Sequence, residues 1–300
     1  MNSSLSRIGL GTVQFGTDYG ISNRGGQPDE AEVAAILARA VETGIGYLDT
    51  ASSYGDAETL IGRHLPRGHR LRIVTKLPPI SGDTIAADHI RATLEAVGRS
   101  LDRLKIGQVH ALLVHHAGDL QKPGWKHLVE ALRTAQARGW TSRVGVSVYE
   151  ASDLALMERR FAPGIIQLPF NALDHRLAFS GWLDRLKASR IEVHARSVFL
   201  QGLLLMEPAA LPPFFAGMRN TLADLRGRWA AEKLSPLAGC LRYVLSNRDI
   251  DAAIIGVNRV RELEEIEAAL GEVAGATEPI APLTVDPIYL DPRQWPARLQ

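Results

Sequence analysis

Residues 45–65 read IGYLDTASSYGDAETLIGRHL. A short apolar strand, Tyr47 and Leu48, closes on a carboxylate, Asp49; a tight Ser/Gly loop carrying Tyr54 follows, and an amphipathic helix begins after it. An acid at a strand end and a phenol five residues on can face one pocket, and that is where a barrel enzyme places its chemistry. A phenol has an ordinary pKa of about 10. It makes a useful proton donor near neutral pH only where a neighbouring cation favours its ionised form. The rest of the chain has to supply that cation.

Working outward, short β-rich runs alternate with longer helical patterns, the signature of βα units and a parallel sheet. Eight candidate strands can be counted: 8–12, 47–50, 72–76, 110–115, 143–147, 165–168, 191–195 and 252–256. Eight fits a closed (β/α)8 TIM barrel, read here as a single domain over residues 1–300. Helices are expected at 28–43, 84–104, 124–138, 151–160, 178–189, 219–233, 236–245 and 260–270, each with apolar residues at three and four spacing. The seventh unit breaks the rhythm with a long insertion containing EPAALPPFF, and such insertions are usually functional. The tail, 271–300, carries five prolines and Trp295; it either covers the pocket or wraps the barrel.

Lys plus Arg (34) and Asp plus Glu (33) nearly cancel and no basic cluster stands out, which argues against nucleic acid or an anionic membrane surface as a partner. The lone cysteine, Cys240, rules out an internal disulfide and reads as a core residue. No run approaches the roughly 18 apolar residues of a membrane helix, and no apolar signal core opens the chain; a soluble, cytoplasmic protein acting on a small molecule is expected.

Strand ends carry the chemistry. A polar residue closing an apolar barrel strand points to the active-site face, and here the set is Asp49, Lys76, His115, Ser147, Gln167 and Arg196. Lys76 is the obvious cation for Tyr54, and Asp49 beside it would offset the desolvation that lowers a buried lysine's pKa. Taken singly, Lys76 and Asp49 equally suit an ordinary ion pair. His115 is placed to hydrogen-bond a substrate oxygen, although the adjacent His116 leaves open which ring faces inward.

These residues, in this order, resemble the aldo-keto reductase superfamily. The resemblance spans nearly the whole chain: GLGTVQFG at the first strand, YLDTASSYG at the second, Lys76 and His115, RVGVS, IIQLPFN, SVFLQGLL after the seventh strand and IIGVNRVRELEEI at the last. It implies a carbonyl reductase with Tyr54 as proton donor, Lys76 and Asp49 tuning it, His115 orienting the carbonyl, and hydride coming from a nicotinamide cofactor bound across the barrel mouth. The absence of any G-x-G-x-x-G after a strand agrees with that mode of binding.

By the same resemblance Ser147 and Gln167 hold the carboxamide, with Ser197 in the loop beyond. Two departures follow: Val148 stands where an asparagine is usual, and Arg196 replaces the aromatic that commonly stacks on the ring. A guanidinium can stack on a ring, or Arg196 pairs with a nearby acid or an anionic substrate. At the last strand Gly256 would allow close backbone approach, the helix start favours an anion, and Arg259 or Arg261, with Glu265, would grip the adenosine end. NADPH is therefore expected over NADH. The family's adenine-reaching asparagine is here Ile266.

Two other classes compete. Lys76 as a Schiff-base nucleophile would make an aldolase-like enzyme, but a carboxylate beside it raises the pKa that such a nucleophile needs lowered. A cofactor-binding sensor of the same fold would bind nucleotide with little turnover. Specificity rests with loops 16–27 and 116–125, the insertion at 203–217 and the tail, whose Asp18, Asn23 and Arg24 mix with Tyr19, Trp125, Phe214 and Phe215. That mixture suits a sugar-derived or aromatic aldehyde or ketone.

Overall fold

Eight short parallel strands close on one another in chain order: β1 (Ile8–Gly11), β2 (Tyr47–Asp49), β3 (Arg72–Lys76), β4 (Val109–Val114), β5 (Thr141–Ser147), β6 (Ile165–Pro169), β7 (Glu192–Arg196) and β8 (Ala252–Gly256), with β8 returning to β1. The computed structural model describes residues 4–273, 283–296 and 299. Together with the intervening helices the strands form a (β/α)8 TIM barrel, as expected.

The register explains why the strand ends matter. Side chains alternate faces along a strand, and Tyr47, Val74, Ala111, Leu113, Ile165, Ala252 and Ile254 form one buried cluster. Two residues beyond members of that set come Asp49, Lys76, His115, Gln167 and Gly256. The chemistry-bearing residues thus continue the inward row to the rim. Pairing sets them side by side: Asp49 lies opposite Val74, Lys76 opposite Leu113, and Ser147 opposite Gln167.

The other strand face packs on the helices through a second, larger apolar cluster that includes Cys240, which is buried. Helix 30–43 starts where Asp29 caps it, its side chain accepting from the Glu32 N–H, and ends at Gly44 with φ 81°. Its first turn therefore begins two residues later than the sequence pattern suggests. Helix 88–104 likewise starts past the expected 84. The expected helix 178–189 is two pieces, Arg176–Phe179 and Trp182–Ala188, parted at Gly181 with φ 76°. Helix 57–64, directly after the Tyr54 loop, is tied down by buried Glu58, which accepts from Thr75 Oγ1 at 2.6 Å and from Arg103 Nη2 at 2.6 Å.

The insertion after β7 is a chain of 3₁₀ turns (203–205, 208–210, 213–218) leading into helices 219–231 and 236–246. The tail packs on it: Tyr289 meets Phe214 and Phe215, and Trp295 meets Phe215 edge-on at 4.9 Å. None of the tail residues 283–296 lines the central cavity; residues 274–282 lie outside the described residues. Among the described residues no helix is long and apolar enough to cross a membrane.

Candidate active site

At the mouth of the barrel lies a cavity of about 700 Å³ lined from the ends of all eight strands. Asp49 and Lys76, 4% and 2% exposed, form a buried ion pair there, Nζ to Oδ1 2.6 Å. Lys76 Nζ also donates to the Thr50 carbonyl at 2.9 Å, and Gln167 Nε2 donates to the other Asp49 oxygen at 2.7 Å. The ammonium lies 5.0 Å from the centre of the Tyr54 ring. Burial opposes the Lys76 charge, but Asp49 and Tyr54 outweigh it and its pKa lies above the usual lysine value. The Tyr54 phenol is pushed up by its own burial, against the pull of Lys76. That corrects the expectation of a lowered phenol: in the free protein desolvation outweighs the cation, so Tyr54 is held protonated.

Backbone contact fixes the Tyr54 loop. Gly55 takes φ 50°, and a Cβ there would strike the Gly16 carbonyl, while a Cβ on Gly16 would strike the Tyr54 carbonyl. The loops after β1 and β2 thus meet main chain to main chain, which only glycine permits.

His115 follows the last residue of β4, half-buried, with its ring edge-on to Tyr54 at 5.7 Å and Nδ1 3.3 Å from Ser53 Oγ. Burial and then the nearby Lys76 push its pKa down to about 3; it is neutral at physiological pH. His116, its ring tilted against that of His115 at 4.9 Å, is exposed.

Ser147, Gln167, Arg196 and Ser197 line the cavity beside this group. Gln167 is committed through its amide nitrogen to Asp49, as above. Arg196 meets no acid among the described residues: Nη2 donates to the Val148 carbonyl at 2.9 Å and the guanidinium stacks on Tyr149 at 3.8 Å, whose ring also carries Arg293 at 3.8 Å. Of the alternatives raised for Arg196, the pairing with a nearby acid is thus replaced by a guanidinium–tyrosine–guanidinium stack. The loop that follows is unusual: Ser197, Leu200 and Gln201 all take positive φ (58°, 48°, 54°), as does Gly202 at 89°. Strained main chain of this kind clusters at functional sites. Asn171 holds the loop, donating to the Ser197 carbonyl at 3.0 Å while its Oδ1 accepts from the N–H groups of Leu173 and Asp174.

The far end of the cavity departs from expectation. Gly256 lines the cavity, and the Gln14 side-chain amide lies where a Cβ on it would sit. Arg259 and Glu265 line the cavity, but Arg261 does not; it is paired on the surface with Glu265 at 3.0 Å. The helix start at Val260 is itself engaged, its N–H donating to Glu32 Oε1 at 2.6 Å. Of the loop residues singled out for specificity, Tyr19, Asn23 and Arg24 line the cavity, whereas Asp18, Trp125, Phe214 and Phe215 do not.

Residues the strand-end rule could not reach also line it, notably Gln14, Tyr149 and Gln201. Gln14 sits in the quoted GLGTVQFG run, but only the fold shows its side chain turning across β8. Four polar atoms on the lining are buried without a hydrogen-bond partner among the described residues: Gln14 Oε1, Arg196 Nε, Gln201 Oε1 and Asn258 Oδ1. Buried polar atoms are normally paired, so a wall with four such atoms fits a polar ligand running along it.

The sequence profile of the Aldo/keto reductase family matches residues 7–276. This chain belongs to the aldo/keto reductase family. It is 24% identical over 290 residues to the L-galactose dehydrogenase of Arabidopsis thaliana, covering 90% of this chain and 85% of that one. It is 29% identical over 249 residues to the 6-dehydroglucose reductase of Novosphingobium aromaticivorans, covering 78% and 74%. The holo form of an aldo-keto reductase from Bacillus halodurans superposes with a TM-score of 0.68, covering 92% of this chain and 88% of that one at 22% identity, a likeness of fold. As an aldo-keto reductase the chain is an oxidoreductase of a family that reduces carbonyls with a nicotinamide cofactor.

Proposed function

We propose that the chain reduces a sugar-derived aldehyde or ketone to the alcohol, with Tyr54 giving the proton. The observation that carries this reading is the buried Asp49–Lys76 pair set against the Tyr54 ring in the cavity shared by His115. When bound, the reduced nicotinamide supplies the hydride. The charge that then develops on the substrate oxygen needs a nearby proton and fixed hydrogen-bond donors. Tyr54, protonated at neutral pH, gives the proton, and Lys76 offsets the charge left on its oxygen. His115, with Nδ1 engaged by Ser53, has Nε2 to offer the substrate oxygen. Ser147, Gln167, Arg196 and Ser197 would hold the nicotinamide end; Arg259 and Glu265 stand by the adenosine end.

The sugar class is supported by the polar loop residues on the lining, Asn23 and Arg24, and by the sugar substrates that the names of the two relatives above state. An aromatic substrate keeps less support, since Tyr19 lines the cavity but Trp125, Phe214 and Phe215 sit elsewhere. A Schiff-base role for Lys76 is opposed by the same geometry that keeps its amine charged. The test is NADH and NADPH titration of the purified protein followed by turnover on a carbonyl panel at 340 nm. Turnover of aldoses or dehydrosugars supports the reading; turnover of simple aliphatic ketones alone would refute the sugar assignment, and tight nucleotide binding with no turnover would favour a sensor.

A further inference from the structure

Resting on the reading of the cavity as a nicotinamide dinucleotide site, we propose that Glu32 and Glu262 close its adenosine end to a 2′-phosphate, so that the chain takes NAD(H) in preference to NADP(H). One end of the cavity holds Tyr54 and Lys76 and so fixes where the reacting ring lies. The lining then continues past Val257 to Asn258, Arg259, Glu262 and the first turns of helix 260–273, facing Asp29 and Glu32 at the start of helix 30–43. A dinucleotide extended from the ring end lays its adenosine there. The wall between points to a ligand independently: Gln14, only 8% exposed, presents an unpartnered Oε1.

A helix start usually offers main-chain N–H groups to an anion. Here two main-chain donors at that start, those of Asn258 and Val260, are spent on carboxylates of the chain itself. The Val260 N–H donates to Glu32 Oε1 and the Asn258 N–H to Glu262 Oε2, each at 2.6 Å. A 2′-phosphate would have to displace them and would meet two fixed negative charges, with Asp29 and Glu265 also on the lining. The opposing cations there, Arg24 and Arg259, are exposed, whereas Glu32 and Glu262 are half-buried. Solvent and salt screen exposed charges more than partly buried ones, so the carboxylates set the local sign. The same oxygens can accept from the two free hydroxyls of an unphosphorylated ribose, which carries no charge to repel.

Binding, read by isothermal titration and not by activity, tests this. Wild-type protein is expected to bind NADH at least tenfold more tightly than NADPH. The variant Glu32→Gln with Glu262→Gln keeps an acceptor oxygen at each N–H and removes both charges. It should shift the NADPH-to-NADH affinity ratio at least fivefold towards NADPH, with an unchanged thermal melt. NADPH binding as tightly as NADH to wild type, or a double variant with an unaltered preference, overturns the assignment while leaving the cavity's reading intact. Binding of neither nucleotide overturns that reading and this assignment with it.

Discussion

Removing the Lys76 ammonium separates what the buried pair does for folding from what it does for chemistry. In Lys76→Met the stem still fills its place, but among the described residues Asp49, 4% exposed, keeps only the Gln167 amide at 2.7 Å as a side-chain partner. Breaking a buried pair from one side costs about 3–5 kcal/mol, because an uncompensated charge remains. A domain of 300 residues shifts by roughly 1.6 °C per kcal/mol, so the melting temperature should fall by about 5–8 °C. Asp49→Asn with Lys76→Met removes both charges, and because a neutral replacement of a buried pair is often tolerated, most of that loss should be recovered. Activity should not follow. Both variants lack the cation beside Tyr54, and loss of a positioned proton donor's tuning is expected to lower kcat by about 10²–10⁴. Differential scanning calorimetry and steady-state kinetics on the three proteins give the comparison. A single variant as stable as wild type, or a double variant that regains activity along with stability, would refute the reasoning.

Two further outcomes follow from the same geometry. Gly16→Ala places a Cβ against the Tyr54 carbonyl, so the Tyr54 loop must move; a shift of about 1 Å can cost on the order of 10² in rate. Substrate turnover should drop at least tenfold with the melt lowered only modestly, and unchanged kcat would show that the loop contact does not set the phenol's place. The rate of reduction should be flat from pH 6 to 9. His115, pushed down to about 3, stays neutral there, and Tyr54, raised by burial, stays protonated. An inflection near pH 6.5 that vanishes in His115→Gln would contradict this.

How much of this was legible in the sequence follows from where each residue sits. The eight strands can be placed because each is a short apolar run with a polar or glycine residue at or next to its end, and the period of two then carries Asp49, Lys76, His115 and Gln167 to the rim. Tyr54 was legible because the tight Ser/Gly loop leaves it beside Asp49. The adenosine end was not. Which of Arg259 and Arg261 faces the cavity depends on where helix 260–273 begins, and Arg261 turned outward to Glu265. Nor could spacing show Glu32 reaching a helix start 228 residues away, or Gln14 filling the space in front of Gly256. Those contacts exist only once the barrel closes β8 onto β1. The Tyr54 pKa was misjudged for a related reason: the cation could be named from the sequence, but the depth of burial that outweighs it could not.

Tyr54, set against Lys76 and Asp49, is proposed to give the proton in carbonyl reduction. Tyr54→Phe removes one oxygen atom and leaves the buried pair in place, so binding and turnover can be compared in one pair of proteins. The account predicts unchanged affinity for the reduced nucleotide, an unchanged melt and a loss of at least 10² in kcat on the best carbonyl substrate. A Tyr54→Phe protein that binds nucleotide and turns over within a few-fold of wild type would contradict it.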